Sequence, residues 1–246
     1  MAVPAIAAAG DPAIAKAVDV RPEATGLYNG GTVVLSAQDD LFEGQTITTG
    51  AQGQVQIVFA DDTRMVVGPG SSLIIEKYLM RNGGTASAFA VSALGGTFRF
   101  ITGKSNKSVY KIDTPTGTIG VRGTRFDFTV DKIKKKTNIV LFDGEVTYCP
   151  NTGGCTSVKG KCDVGLGEDS DAEIVGKGGK GHASATSKFI YVKSQGSLKS
   201  DFKVRGAGEC GAVEETTQAK QEAKVEDPGP SKSQGKPDPI PDPLPD

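Results

Sequence analysis

Short apolar runs dominate residues 27–150, and they constrain the fold more than any other feature of the sequence. Each run is four to eight residues long and ends at turn residues, and none repeats its apolar positions with the 3.6-residue period of an amphipathic helix. In the clearest example, Val55, Ile57 and Phe59 alternate along one face, and residues 60–63 turn the chain into a second apolar run. Further strands are predicted at residues 72–76, 97–102, 108–113, 126–130, 138–142 and 145–148. We therefore expect an all-β domain, and a strand every 10 to 14 residues fits an irregular β-solenoid, a barrel or a sandwich.

Composition excludes several other classes of protein. The 246 residues include 33 Gly, 13 Pro and no Trp, which argues against a compact helical bundle. Lys and Arg number 28 against 29 Asp and Glu, so the chain lacks the basic excess that nucleic acids and anionic membranes select. We expect no nucleic-acid partner, and we expect no transmembrane segment because the longest apolar stretch, residues 1–9, is about half a bilayer span.

The two ends of the chain differ from its middle. Residues 1–26 are an Ala-rich lead, either the remnant of an export signal peptide or a disordered segment. Residues 151–213 are rich in Gly, Lys and Ser, with a short strand predicted at 188–192, and suggest a small β extension. Residues 214–246 carry eight acids and four lysines and end in a Pro-Asp-Pro-x repeat, which predicts a disordered acidic tail serving as a spacer or as a docking peptide.

One change of phase predicts a corner in the backbone. The apolar side chains of residues 118–121 fall on odd numbers, whereas those of residues 126–130 fall on even numbers. A continuous strand cannot bury both sets on one face, so an extra residue must be inserted between them. The sequence predicts a β-bulge or sharp corner at Gly123, which lies between Arg122 and Thr124 and can adopt a positive φ.

The four cysteines predict two disulfide bonds in an oxidising compartment. Two bonds can be formed in three ways, and zinc binding or free thiols are the alternatives. Zinc is disfavoured because the gaps are long and His182 is the only histidine of the chain. The candidates are Cys149, Cys155, Cys162 and Cys210.

Sites for catalysis and for cofactors are poorly supported. Residues 176–181 match Gly-x-Gly-x-x-Gly, but a strand is expected soon after them rather than the long helix that a dinucleotide site requires. His182 is expected to be exposed in a loop, and the basic run 132–136 is expected to be a solvated hairpin loop or a contact for an acidic partner. We expect no catalytic residue, cofactor or metal, and we assign ordinary turn roles to the acids that flank the strands, namely Asp61, Asp62, Asp127 and Asp143.

The region from about residue 41 to residue 148 resembles the FecR domain family. The most specific match is residues 112–126, Ile-Asp-Thr-Pro-Thr-Gly-Thr-Ile-Gly-Val-Arg-Gly-Thr-Arg-Phe, which contains the predicted corner and ends at Phe126. Weaker matches precede it at residues 42–44, 47–50, 55–59, 62–64, 68–72 and 95–99.

The resemblance implies an extracytoplasmic, solenoid-like β domain without enzymatic activity at residues 27–150. In the family's best-known members, this domain is the periplasmic part of a membrane anti-sigma regulator that senses outer-membrane transporters. Those regulators also have a cytoplasmic helical domain and a membrane span, and this sequence shows neither. We therefore expect a free-standing periplasmic or secreted module. Its expected function is to bind another envelope or secreted protein in signalling or assembly. The alternative is a structural or adhesive secreted protein that uses the domain as a spacer.

Overall fold

A computed structural model describes residues 11–81, 83–106 and 108–211. The chain divides into a unit of residues 1–213 and a second unit of residues 214–246. The expected acidic tail and the first ten residues of the expected lead lie outside the described residues. Within the described part, no helix is both long enough and apolar enough to cross a membrane.

The described chain is built mainly from β-strands, so the all-β expectation is confirmed. The strands are β1 (Ala15–Arg21), β2 (Ala24–Tyr28), β3 (Gly31–Val34), β4 (Asp40–Leu41), β5 (Thr46–Thr49), β6 (Gln54–Phe59), β7 (Arg64–Val67), β8 (Ser72–Arg81), β9 (Thr85–Ile101), β10 (Tyr110–Thr114), β11 (Gly117–Val121), β12 (Arg125–Asp131), β13 (Lys136–Asp143), β14 (Val146–Pro150), β15 (Thr156–Val158), β16 (Val164–Gly167) and β17 (Ala172–Val175).

The strands form two facing layers that are joined through β9. One layer has the order β4-β1-β6-β7-β9-β12-β13-β16-β17, and the other has the order β3-β2-β5-β8-β9-β10-β11-β14-β15. We call them layer A and layer B. Strand numbers rise along both layers from β5 and β6 onward, because the chain repeatedly crosses from one layer to the other as it advances. This winding is the solenoid-like alternative among the predicted all-β architectures.

The main core lies between the two layers. Alternate residues point inward in the central strands, as Val55, Ile57 and Phe59 do in β6, and these three side chains are almost completely buried. Aromatic rings meet across the interior, with Phe59 of layer A 4.8 Å from Phe89 of layer B between ring centroids. The apolar periodicity of the sequence is therefore the direct cause of the layered fold.

The outer face of layer A is covered by residues 182–210, which we call the cover. The cover contains two short helices, α1 (His182–Thr186) and α2 (Ile190–Lys193), and two 3-10 turns. Its Phe189 belongs to the same buried apolar cluster as the outward-facing Val140 and Phe142 of β13. The strand predicted at residues 188–192 is therefore wrong. Phe189, Tyr191 and Val192 are buried against layer A rather than paired with a neighbouring strand.

The structure also departs from two of the expected domain boundaries. Residues 1–26 are not wholly a lead, because β1 is an integral strand that pairs with β6. Residues 151–213 are not a separate extension, because β16 pairs directly with β13 and continues layer A. Both elements join the same layered fold through backbone hydrogen bonds that composition alone does not reveal.

Candidate binding groove

The predicted corner lies where the chain passes from layer B to layer A. Gly123 has a φ of +69° and separates β11 from β12. Arg122 is exposed, whereas Thr124 is buried with its carbonyl accepting a hydrogen bond from the Thr102 amide at 3.1 Å. Phe126 points into the main core and lies 5.6 Å from Phe100 between ring centroids. These residues shape the fold and do not converge on a common pocket.

The four cysteines form two disulfide bonds, Cys149–Cys155 and Cys162–Cys210. The first closes a short loop after β14, with Cys155 exposed. The second is completely buried and ties the end of the cover to the loop before β16. The disulfide prediction is confirmed, and the pairing that the sequence left open is settled.

His182 is buried, which corrects the expectation of an exposed loop residue. It begins α1, and its Nε2 lies 2.7 Å from the carbonyl oxygen of Cys162. The glycine-rich segment before it leads into a helix of only five residues, so it lacks the long helix of a dinucleotide site. His182 therefore helps to hold the cover, and Gly176–Gly181 forms a turn beside it.

Two of the acids that were assigned turn roles are instead buried. Asp127 lies on the outer face of β12, where its carboxylate accepts hydrogen bonds from Arg99 at 2.6 and 2.9 Å. Burial raises the pKa of Asp127, and the Arg99 guanidinium opposes that shift. Asp61 does accept the Thr63 amide in a turn, but its carboxylate is buried and also accepts the Tyr110 hydroxyl at 2.9 Å.

Of the remaining two acids, Asp62 lies in the turn before β7, and Asp143 is the last residue of β13. Asp62 has a φ of +64° and forms an ion pair with Lys104, whose hydrogen bond lowers the pKa of the Asp62 carboxyl. Among the described residues, no group of three or more His, Cys, Asp or Glu side chains is arranged to hold a metal ion.

A groove of about 810 Å³ lies at one end of the layers, beside the β12–β13 hairpin. Its wall is the basic hairpin loop, and its floor is the place where β9 passes from layer B to layer A. The lining residues are Thr48, Thr49, Gly70, Ser71, Ser72, Leu94, Gly95, Gly96, Thr97, Thr129, Val130, Asp131, Lys132, Ile133, Lys134, Lys136, Asn138 and Lys188. We call this hollow the basic groove.

The floor of the basic groove is held by close backbone packing. Gly96 has a φ of +112°, and a Cβ placed there would lie 2.1 Å from Ser71 Oγ, so another residue would collide with its neighbour. The Ser71 hydroxyl donates to the Thr97 carbonyl at 3.1 Å and accepts the Thr97 amide at 2.9 Å. The groove therefore has a preformed floor rather than one made by mobile side chains.

The wall of the basic groove is electrostatically positive. Four lysines and one acid line the groove among the described residues, a net charge of +3. The acid, Asp131, accepts the amides of Ile133 and Lys134 at 3.1 and 2.9 Å, and these bonds fix the loop and lower the pKa of Asp131. Lys136 pairs with Glu168 at 2.7 Å, which raises the pKa of Lys136. The lining of the basic groove therefore favours anionic groups.

A smaller hollow of about 170 Å³ continues from the basic groove across the outer face of β13, β16 and β17. It shares Lys136, Asn138 and Lys188 with the groove. Its far side carries Glu168, Asp171 and Glu173, and we call it the acidic hollow. The sign of the charge therefore changes along one continuous surface.

The sequence predicted only part of this surface. It identified the basic run at residues 132–136 as a hairpin loop, and the structure places that run between β12 and β13. It gave no indication that Ser71, Gly96 and Lys188 lie beside the loop, because these residues come from three distant segments. The one signal in the sequence is the resemblance of residues 68–72 and 95–99 to the FecR family.

Comparison with known proteins gives one family match and a distant structural likeness. No curated protein sequence matches the chain. Two crystal structures of a protein from Parabacteroides distasonis, provisionally described as an anti-sigma factor, align with it at 12% and 13% identity and TM-scores of 0.41 and 0.42. Each alignment covers 53% of this chain and 57% of the other, so the chain spans little more than half of those proteins.

The family match falls on the central part of the fold. Residues 45–147 match the family described as FecR protein. This range holds the corner at Gly123 and all of the basic groove except Lys188. The resemblance to the FecR family that the sequence predicted is therefore confirmed by this match over residues 45–147.

Proposed function

We propose that this protein is a non-enzymatic, extracytoplasmic protein-binding module that acts in cell-envelope signalling or assembly. The observation that carries the proposal is the use of all four cysteines in two disulfide bonds. Stable disulfides are typical of the periplasm and of secreted proteins, and they are rare in the reducing cytosol. The family match supports the same location and class.

The basic groove supports a binding role for the module. It has the size of a ligand site, a floor fixed by backbone hydrogen bonds and a wall of charged side chains. The buried carboxylates are engaged elsewhere, with Asp127 on Arg99 and Asp61 on Ser105 and Tyr110. The polar groups at the groove are thus suited to recognition of a partner surface.

Localisation and partner capture test this proposal together. The full chain is expressed in its native host, the cell is fractionated, and the oxidation state of the cysteines is mapped by non-reducing peptide analysis. We expect the protein in an extracytoplasmic fraction with both bonds formed, and we expect covalent cross-linking there to recover one partner protein reproducibly. A cytoplasmic location with four free thiols would contradict the proposal, and so would cross-linking that recovers no protein.

A further inference from the structure

We propose that the basic groove and the acidic hollow together bind an extended segment of a partner protein, in which an acidic stretch with one apolar side chain is followed by a basic residue. This inference rests on the protein-binding function proposed above and specifies the chemistry of the partner. It assigns a recognition role to the loop of residues 132–136 and to Lys188.

The positive charge of the groove is available to a partner. Lys132 and Lys134 are exposed, and the ion pair of Lys134 with Asp131 is long, at 3.8 Å. The pair of Lys136 with Glu168 is short, but both side chains are about half exposed. Exposed ion pairs contribute little to stability, so carboxylates of a partner can replace these internal contacts. An acidic segment therefore fits the charge of the wall.

An apolar contact accompanies this charge. Ile133 is 94% exposed in the middle of the lysine run, and Leu94 of the same groove is 37% exposed. An apolar side chain of the partner can pack against the exposed Ile133 at the tip of the basic loop, and both side chains then lose contact with water. Lysines alone would bind any anion. Lysines next to an exposed isoleucine favour a polypeptide that carries both acidic and apolar side chains.

The change of sign along the surface separates a polypeptide from a uniformly charged polymer. A nucleic acid or an acidic polysaccharide that lay in the basic groove would meet Glu168, Asp171 and Glu173 as it continued into the acidic hollow. Like charges at that end would repel it. A polypeptide can place a Lys or Arg there after its acidic stretch, so its charge pattern can match both parts.

Fluorescence anisotropy with a synthetic peptide tests the proposal. The probe is a labelled peptide with an acidic stretch, one leucine and two lysines at its end, and its control is a scrambled peptide of the same composition. We expect the full protein to bind the ordered probe more tightly than the scrambled one. The variant Lys132→Ser/Lys134→Ser should weaken binding about tenfold, which corresponds to about 1.4 kcal/mol. The matched variant Lys180→Ser/Lys203→Ser removes two exposed lysines outside the groove and should leave binding unchanged.

A charge reversal tests the polarity of the surface. Glu173→Lys should weaken binding of the probe with lysines at its end, and it should not weaken binding of a purely acidic peptide. Equal affinity for the ordered and scrambled probes would overturn the proposal. Tighter binding of an oligothymidylate, of vesicles containing phosphatidylglycerol or of a second copy of the chain would overturn it too.

The two proposals fail in different ways. If a partner captured by the wild-type protein is captured equally by the Lys132→Ser/Lys134→Ser variant, the groove is not its site and only the present inference is overturned. If the wild-type protein captures no partner in the native envelope, the proposed function itself fails. Capture that is lost in this variant and kept in the Lys180→Ser/Lys203→Ser variant supports both.

Discussion

Arg99 shows how one side chain can join two parts of the fold. It lies on the outer face of β9 and is completely buried between the Phe142 ring and the Tyr191 ring, at 5.2 and 5.3 Å from their centroids. Its guanidinium donates to Asp127 and, at 3.2 Å, to the carbonyl of Phe202 in the cover. Arg99, which lies within the region that matches the FecR family, therefore helps to hold the cover on layer A.

Removing Arg99 should destabilise the protein strongly. Arg99→Met leaves the Asp127 carboxylate buried without its partner, and such a loss typically costs about 3–5 kcal/mol of unfolding free energy. The double variant Arg99→Met/Asp127→Leu should recover much of the loss because no charge is then buried alone. Lys16→Met, at an ion pair that is about half exposed, should change stability by less than about 1 kcal/mol. Urea denaturation measures all three, and equal losses for the Arg99 and Lys16 variants would contradict the argument.

The corner at residue 123 allows a sharper test of backbone packing. Gly144 has a φ of +87°, and a Cβ there would lie 2.2 Å from the Gly123 carbonyl oxygen. Gly178 has a similar φ of +75° but nothing within 4 Å of its Cβ position. Because the two sites share the backbone strain, Gly144→Ala should cost about 1–3 kcal/mol more than Gly178→Ala, through the clash alone. Identical denaturation midpoints would show that the corner can relax.

At the scale of elements, local pattern predicted strands well where apolar and polar residues alternate. It missed the first half of β9, because the Ala, Ser and Gly residues of 85–96 have weak strand propensity and are ordered by pairing with β8 and β10. It misassigned residues 188–192 because apolar residues in succession fit a buried strand as well as a short helix. In both cases the structure of the segment is determined by the residues that pack against it, and these residues lie elsewhere in the sequence.

The dependence on distant residues also explains why the corner at Gly123 could be predicted and the burial of Asp127 could not. The phase change at Gly123 lies within a few residues, so the sequence could predict the corner. The burial of Asp127 depends on Arg99, which is 28 residues away, and on the cover some 70 residues further along the chain. Contacts over such distances are set by the topology, which the local pattern leaves open.

The two disulfides should differ in their contribution to stability. In the chain-entropy account, a bond that closes a longer loop restricts the unfolded chain more, and the two bonds join residues 6 and 48 positions apart. Replacing both cysteines by Ala should cost about 2 kcal/mol at Cys149 and Cys155, and about 4 kcal/mol at Cys162 and Cys210. Urea denaturation under oxidising conditions gives both values. A larger loss at the short loop would mean that local packing outweighs chain entropy.

At the scale of the whole molecule, burial ties the phenol groups to the folded state. The side chains of Tyr78, Tyr110, Tyr148 and Tyr191 are buried among the layers and the cover. Burial is the main cause that raises the pKa of each phenol above its ordinary value of 10.0. Three of the rings come from layer B and the fourth from the cover, so their ionisation reports on the packing of both parts.

The free energy of unfolding should therefore fall at alkaline pH. Well below pH 10 these phenols are protonated in both states, and they do not make stability depend on pH. Above pH 10 the unfolded chain releases protons that the folded protein retains, so the unfolded state binds fewer protons and stability decreases as pH rises. Urea denaturation at pH 8 to 11, with tyrosine ionisation followed by absorbance, measures both effects. The four phenols should ionise together with unfolding, and their ionisation near pH 10 with the near-ultraviolet circular dichroism of the fold intact would show that solvent reaches them in the native state.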